Sequence, residues 1–472
     1  MKKDSKAYKQ INLPFGLNIG IEISHHRKGK FLYRDIYIDE DLVAQSRVPA
    51  SGKHFEEVDE SHWWLSYLHG ETPVSDQGKG EVSVLELFCG PGGLAQGLKQ
   101  FCLETGFRFK SLGAVDLDAE AVSVYAKNHD SEASLLRKGK EDCKHKEEAC
   151  CEGNTNALVD YVINGAGSKA QWAARPQIID SQWESYFKEE GTPNVLLAGP
   201  PCQGHSNLNN HTRRNDVRNL AYLDVPAIAI ALDIPVVIIE NVSAVVHDKY
   251  KVVDTTKNLL EKEGYVVESG VLRADKLGWP QTRSRFFMVA RKGSRPIPFS
   301  DISSALKREQ PLDLWWAIAD LENVEPTEHH MYRQSERTKE NTKRINWLHR
   351  HGLNDLPDRM RPECHRDKPH TYPSVYGRLY ADRPAPTITS GFMTLGRGRF
   401  MHPTQPRMLN PREAARIAGY SEHSYPKVVR NLKKEIIELA ENHLSTHSAK
   451  AANRLTTLLD EDGTTPQASI RL

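Results

Sequence analysis

No stretch of this chain stays apolar for the roughly 18 to 20 residues that a membrane-spanning helix requires, which argues against a helical membrane protein. The opening MKKDSKAYKQINLPFG has two lysines but no apolar core behind them, so no secretory signal is read there and the expected location is the cytoplasm. Cysteine is sparse: Cys89, Cys102, Cys143, Cys150, Cys151, Cys202 and Cys364 are an odd, scattered set in 472 residues. That pattern suits a reducing compartment, where individual thiols can be reactive, better than a disulfide framework. Charge of one sign is lacking too, with 63 Lys and Arg against 62 Asp and Glu. A net charge of +1 neither favours nor excludes nucleic acid, because phosphate binding depends on a local basic surface.

What is present is a length beyond the usual single domain, predicting one large core domain with smaller appendages. From Leu13 to Ile23 every odd position is apolar, the period of a half-buried strand. A turn over His25 to Lys30 then leads to a second strand around Phe31 to Ile38, and the polar Glu71 to Gly80 reads as a linker. Residues 1–80 are thus expected to form a β-rich N-terminal extension. Beyond them VSVLELF, SLGAVDL, NVLLAG, PVVIIENV and FFMVA alternate with helical stretches, the pattern of βαβ units in a parallel sheet covered on both faces. This α/β domain spans 81–291, with an aperiodic insertion over 130–191 that is too long for an ordinary connection. An Arg-, His-, Trp- and Pro-rich segment, 292–375, reads as a small second domain, and 376–425 returns to the first. There Asn410 as N-cap, Pro411 at the first helical position, Glu413 completing a capping box and Gly419 as terminator predict a helix over 410–417. A C-terminal helix and polar tail fill 426–472.

Four segments carry chemistry. VLELFCGPGG sets a buried strand against a Gly-rich turn, where open α/β sheets bind cofactors, and the next strand ends in Asp116, placed to take a ribose hydroxyl pair. By itself this fits a methyl donor, a dinucleotide or merely a tight turn; the spacing Gly90-Pro91-Gly92-Gly93 is not the dinucleotide fingerprint. In NVLLAGPPCQGHSN, two prolines hold Cys202 just past a strand, which makes it a candidate nucleophile rather than a small buried hydrophobe. PVVIIENV ends in Glu240 and Asn241, either a proton-handling acid or a helix-capping pair. QTRSRFFMVA puts Gln281, Arg283 and Arg285 on alternate positions, either a solvated edge or a set of donors facing the Cys and Glu.

In this order the segments closely resemble the cytosine-C5 DNA methyltransferase family. The match runs through FCGPGG, Asp116, PPCQ, ENV, QTRSR, RPAPTIT (Arg383 to Thr389) and PREAARIAGY, covering roughly residues 82 to 420. The resemblance implies a Rossmann-like catalytic domain that binds S-adenosylmethionine. A small target-recognition domain would lie between QTRSR and PAPTIT, and double-stranded DNA would be the substrate, with a cognate restriction endonuclease as possible companion. It implies cofactor contacts at Phe88, Gly90, Pro91, Gly92, Gly93, Asp116, Leu117 and Pro201, with Asp180 the candidate acid for the adenine. Cys202 would add to C6 of cytosine, Glu240 would hold or protonate N3, Arg285 would face O2 and Arg283 would support the surrounding loop. The tRNA-acting relatives carry a Cys-Phe-Thr segment that this chain lacks, and a non-catalytic descendant would tend to have lost Cys202 or Glu240.

The chain departs from the family in having no Gly-Asn-[Ser/Ala]-Val segment after PREAARIAGY; either Asn431 or another group substitutes, or that wall of the pocket is open. Cys143, His145, Cys150 and Cys151 match no common zinc spacing and are read as thiols of a solvated loop. Neither they nor Cys364, His365 and His370 are assigned a metal.

Overall fold

Apolar runs make the central sheet. In β5 (Gly80–Leu87) Val84 faces one side and Leu85 the other, and both are buried, because successive strand residues alternate faces and helices cover both. The computed structural model describes residues 9–12, 18–38, 40–50, 59–116, 118–129, 150–152, 181–202, 217–293, 299, 310–324, 331–366, 375–389 and 391–422. Within it β5 lies between β6 (Phe107–Asp116) and β8 (Val195–Ala198), and β8 neighbours β9 (Val236–Asn241). All three pairings are parallel. The seven-stranded order is β10-β11-β9-β8-β5-β6-β7, with β7 being Cys150–Glu152, β10 Tyr265–Arg273 and β11 Ser284–Lys292.

Three features differ from the sequence reading. The FFMVA strand, expected to be parallel, runs antiparallel to β9 and to β10 as part of β11. A short loop from β10 reverses the chain into β11, and such a return cannot give a parallel neighbour. The 130–191 stretch is not wholly irregular: β7 pairs with β6 through Ala114 and Cys150, so the backbone at Cys150 and Cys151 is strand and not loop, and a helix forms at Ser181–Glu190. Cys143, His145 and Asp180 lie outside the described residues. Finally, His25 to Lys28 is strand. β2 (Asn18–Lys28) pairs with β3 (Phe31–Ile38) out to Lys28 and Phe31, leaving only Gly29 and Lys30 for the turn, and His26 stacks on Tyr33 across the pair.

One face of the sheet packs on α2 (Gly93–Thr105) and α3 (Ala119–Asn128) through Leu98, Phe101 and Tyr125; the other receives α5 (Asp224–Ala231) and α6 (Val252–Lys262) through Ile228 and Leu260, with α4 (Ser181–Glu190) adding Phe187. A separate core draws on Leu314, Ile345 and Leu348 and equally on Leu379, Phe392, Met401 and Ile417, so the stretches before and after residue 375 pack together. It contains α7 (Leu314–Ile318), α8 (Lys339–Arg350) and α9 (Pro411–Ala418). Helix α9 has the expected Asn410/Glu413 capping box and ends at Gly419, φ +96°.

The N-terminal residues form a four-stranded antiparallel sheet, β1 (Lys9–Asn12), β2, β3 and β4 (Asp41–Pro49), followed by α1 (Glu60–Leu68). Residues 13–17 of the period-two run lie outside the described residues. The sheet packs Leu32 and Val48 against Trp63, Trp64 and Trp279. Arg34 forms a buried ion pair with Glu104 of α2, and Glu104 also accepts from Gln100 (2.8 Å) and Trp63 (3.4 Å). No helix among the described residues is long and apolar enough to cross a membrane.

Candidate active site

The strand register builds the site. Leu87 pairs with Ala198 and with Val115, and Ala198 pairs with Ile239, so β6, β5, β8 and β9 end side by side. Neighbouring strands are about 4.8 Å apart. The Gly-rich loop, the Pro200-Pro201-Cys202 loop and Glu240 therefore leave adjacent strands at one rim, the carboxyl end where open α/β sheets bind ligands. On the far side of β9, Phe286 pairs with Asn241, which delivers Arg285 and Arg283 to the same rim.

Each loop is tied down by a polar side chain. Asp116 accepts from Gly90 N through one oxygen (2.8 Å) and from Asp118 N through the other (2.9 Å), so this acid shapes the Gly-rich turn as well as facing it. Asn128 donates to Pro91 O (3.1 Å), and His129 Nε2 lies 3.0 Å from Gly92 O. Burial pushes His129 down to about 3, so the ring is neutral and its Nε2 carries the proton for that contact. Gly92 sits at φ +89°, and a Cβ there would come within 2.2 Å of His129 Nε2. Gly90 (φ +52°) and Phe88 (φ +54°) are also left-handed, a conformation costly for a bulky side chain and typical of ligand loops. Gly93 opens α2, whose N-cap Gly92 has no side chain to offer. Glu86 of β5 takes that role, accepting from Ala95 N at 3.2 Å. It is 1% exposed, and burial with Asp116 nearby holds it well above the carboxylate range.

The second loop is hooked to β9 by Asn241, whose Nδ2 donates to Pro200 O (3.1 Å) while its Oδ1 accepts from Val242 N. Pro201 and Cys202 are half-buried. Glu240 Oε1 lies 2.7 Å from Arg285 Nε, both side chains 12% exposed. The contact is an ion pair off the N–H direction, and Oε1 has no aligned hydrogen-bond donor among the described residues. Burial raises Glu240, and Arg285 and then Arg283 oppose it. Burial likewise raises the Cys202 thiol, Arg285 pulls it back, Glu240 pushes it up, and Arg283 lowers it. Arg283 is buried and lowered to about 9 by burial and by Arg285, yet remains a cation at neutral pH, balanced by Glu240, Cys202 and Tyr420. One thiol, one acid and two cations thus share a mutual electrostatic environment. The structure brings Cys202, Glu240, Arg283 and Arg285 together at the rim of β9.

Gln281, Arg283's neighbour two positions back, is buried and bridges in parallel fashion to Ala385 of RPAPTIT, while Thr282 N donates to Ala385 O (2.8 Å). Leu117 and Asp180 lie outside the described residues, as do Gln203 and Asn431. The sequence names Asn241 beside Glu240 but does not single out Glu86, Asn128, His129 or Tyr420. A charged residue inside the apolar run VLELF was the available signal for Glu86, since an unpaired acid is almost never fully buried.

A doubly covered, parallel-rich sheet with one antiparallel strand beside its last parallel member carries a glycine-and-acid loop, a loop-borne thiol and an acid at its carboxyl rim, the frame of an α/β transferase. The family model for C-5 cytosine-specific DNA methylases matches residues 174–435, and the chain belongs to that family as a DNA cytosine-C5 methyltransferase. It is 36% identical over 401 residues to the type II methyltransferase M1.BsuMI of Bacillus subtilis, covering 84% of this chain and 86% of that one. The type II methylase M.HgiDII of Herpetosiphon aurantiacus is 25% identical over 72% of this chain and 84% of its own length. Among solved structures, one described as a DNA modification methyltransferase encoded within an E. coli prophage aligns with TM-score 0.51 over 80% of this chain and 99% of its own, at 19% identity, a likeness of fold.

Proposed function

We propose that the enzyme transfers a methyl group from S-adenosylmethionine to C5 of a cytosine turned out of a short duplex DNA sequence, through a covalent bond between Cys202 and C6. The observation that carries this reading is the clustering of Cys202, Glu240, Arg283 and Arg285 at one strand rim, beside the Gly-rich loop.

The residues of that loop fit the cofactor by their chemistry. Gly90 to Gly93 permit close backbone approach, and Asp116, which accepts from the Gly90 and Asp118 amides at the end of its strand, is placed for the ribose hydroxyls, with the buried acid Glu86 nearby. Phe88 and Pro201, with Leu117 and Asp180, complete the proposed cofactor contacts. S-adenosylmethionine supplies an electrophilic methyl group there.

The base needs activation, because cytosine C5 is a weak nucleophile. Cys202 loses its proton and Sγ bonds to C6; the C5–C6 π pair moves onto C5, and the charge that spreads to the ring is met by a proton from Glu240 at N3 and by Arg285 at O2. Burial raises Glu240 against the pull of Arg285 and Arg283, the direction that favours proton donation. Arg283 supports the loop and the ion pair. After C5 takes the methyl group, water removes the C5 proton, the C–H bond pair re-forms the C5–C6 double bond and expels Sγ as the thiolate, and the N3 proton returns to Glu240. C6 is stacked inside a duplex, so the base has to be flipped out at a cost of roughly a few kcal/mol. Contacts from the proposed target-recognition domain, 292–375, offset that cost and make binding weaken steeply with salt. The names of the type II relatives favour a restriction-modification setting in the cytoplasm, with a cognate endonuclease as companion.

Bisulfite sequencing of DNA from cells expressing the protein tests the reading. Conversion-resistant cytosines are expected in one short motif, and none with Cys202→Ser. Methylation that persists in the variant overturns the covalent mechanism.

A further inference from the structure

Arg283 reaches the rim from the loop between β10 and β11, residues 274–283, and that loop is pinned at several points. Its two ends are tied together, Ala274 N donating to Arg283 O (2.8 Å), and Trp279 N donates to Ala274 O (3.0 Å). Ala385 of the RPAPTIT segment holds the second half, donating to Pro280 O (2.9 Å) and accepting from Thr282 N (2.8 Å). The Trp279 indole is fully buried and donates to Ile417 O in α9 (2.9 Å). A further contact on that ring comes from outside the catalytic fold. Trp64 of α1 meets Trp279 edge to face, ring centroids 6.1 Å apart, and Trp316 of α7 meets it the same way at 5.7 Å.

Helix α1 is itself held at both ends. Asp59 and His62 form a capping box at its start, Trp64 Nε1 donates to Glu60 Oε1 (3.0 Å), and the Arg34 guanidinium lies 5.4 Å from the Trp64 ring. At the other end Leu68 O accepts from Glu422 N (3.2 Å), just past α9. His69 Nε2 lies 3.2 Å from Asp320, whose two oxygens both accept from Arg416 of α9 (2.5 and 2.7 Å). The helix thus bears on two supports of Trp279, the ring itself and the helix whose carbonyl that ring donates to. Residues 60–68 lie outside the 174–435 span of the family match.

We propose that α1 is a positioning element for catalysis, in which Trp64 acts through Trp279 to hold Arg283 beside Cys202 and Glu240. An edge-to-face pair constrains direction as well as distance, so a buried ring held that way fixes the backbone that carries it. Placement matters at such a site, since a misplacement of about 1 Å costs up to roughly 100-fold in rate. Of the charged groups that act on Cys202, Glu240 and Arg285 belong to strands β9 and β11, whereas Arg283 belongs to the loop. Loss of the Trp64 contact therefore acts on Arg283 first. The expected effect on rate rests on the proposed role of Cys202, while alkylation of that thiol reports where Arg283 stands whether or not the sulfur attacks a base.

The test uses the full chain with Trp64→Leu, with Trp64→Phe, and with Trp279→Phe as a second change to the same contact. Alkylation of Cys202 by iodoacetamide is followed against pH by peptide mass spectrometry, which separates it from the other cysteines, and methylation of a duplex containing the motif gives kcat and KM. In Trp64→Leu the Cys202 midpoint should move to higher pH, because a displaced Arg283 no longer favours the thiolate. Its kcat should fall by roughly 10-fold or more, with KM for DNA at the wild-type value. Trp64→Phe keeps an aromatic edge and should recover most of both losses; Trp279→Phe gives up the bond to Ile417 O and should shift both in the same direction as Trp64→Leu. Where Trp64→Leu does not fold, Trp279→Phe carries the same test. A lowered Tm with a wild-type midpoint and kcat in the folded variants overturns the proposal, as does a Trp64→Phe enzyme as impaired as Trp64→Leu. If methylation proves independent of Cys202, a raised midpoint still supports the placement of Arg283 by α1, and an unmoved one still refutes it.

Discussion

Cys202 is a thiol that its surroundings both hinder and help. Burial works against ionisation, and Arg285 is the strongest influence in the other direction, ahead of the opposing Glu240. Removing Arg285 therefore raises the thiol further from its ordinary range, and less thiolate is present at any given neutral pH. In Arg285→Ala the pH midpoint of Cys202 alkylation by iodoacetamide should move to higher pH, with a lower rate at pH 7 than in the wild type. A midpoint that stays in place or falls would show that Arg285 does not tune the sulfur. Two nearby residues were open to reading from sequence in different degrees. Cys202 stood out because two prolines and a strand fix its place locally. Glu86 did not, because its function as the cap of α2 depends on Ala95 being brought across from the next element.

At the scale of the element, the Gly-rich loop is held by partners on three sides. Gly92 is left-handed, and its missing side chain is what lets His129 close over it. Gly92→Ala combines the left-handed cost of about 1 kcal/mol with a clash that must displace a buried ring. The expected result is lower thermal stability together with weakened S-adenosylmethionine binding by calorimetry. Wild-type values of both would remove the loop from the account. Helix α9 shows what sequence can say of an element: Asn410, Pro411, Glu413 and Gly419 act on backbone groups within a few residues, so its start and stop were readable. Strand β11 shows the opposite. FFMVA is buried on both faces, and such a run looks alike whether it lies parallel or antiparallel; its direction follows from the short return out of β10, a strand whose Gly270 and half-exposed pattern hid it.

Across the whole molecule, the N-terminal sheet is joined to the catalytic fold by a buried charge pair. Arg34 and Glu104 are 2% and 1% exposed, and Glu104 opens toward Trp63 and Gln100 as well. Arg34→Leu leaves the carboxylate buried without its cation, which costs about 3 to 5 kcal/mol. Urea unfolding should show that loss, and the double change Arg34→Leu/Glu104→Leu should recover much of it, because two apolar groups need no counter-charge. Equal stability of Arg34→Leu and the wild type would mean that the pair holds nothing together.

From its sequence alone the chain determined which runs become strands, which loops carry glycine, proline, thiol and acid at the strand ends, and where α9 begins and ends. These are properties of near neighbours: side-chain period, fixed φ and local capping. Only the tertiary structure decided that β11 runs antiparallel, that Glu240 faces Arg285 and Arg283 beside Cys202, that Glu86 caps a helix it does not belong to, and that Arg34 lies against Glu104. Those pairings reach past near neighbours, nine positions for Glu86 and Ala95 and 70 for Arg34 and Glu104, and periodicity records whether a side chain is buried without naming the partner it is buried against.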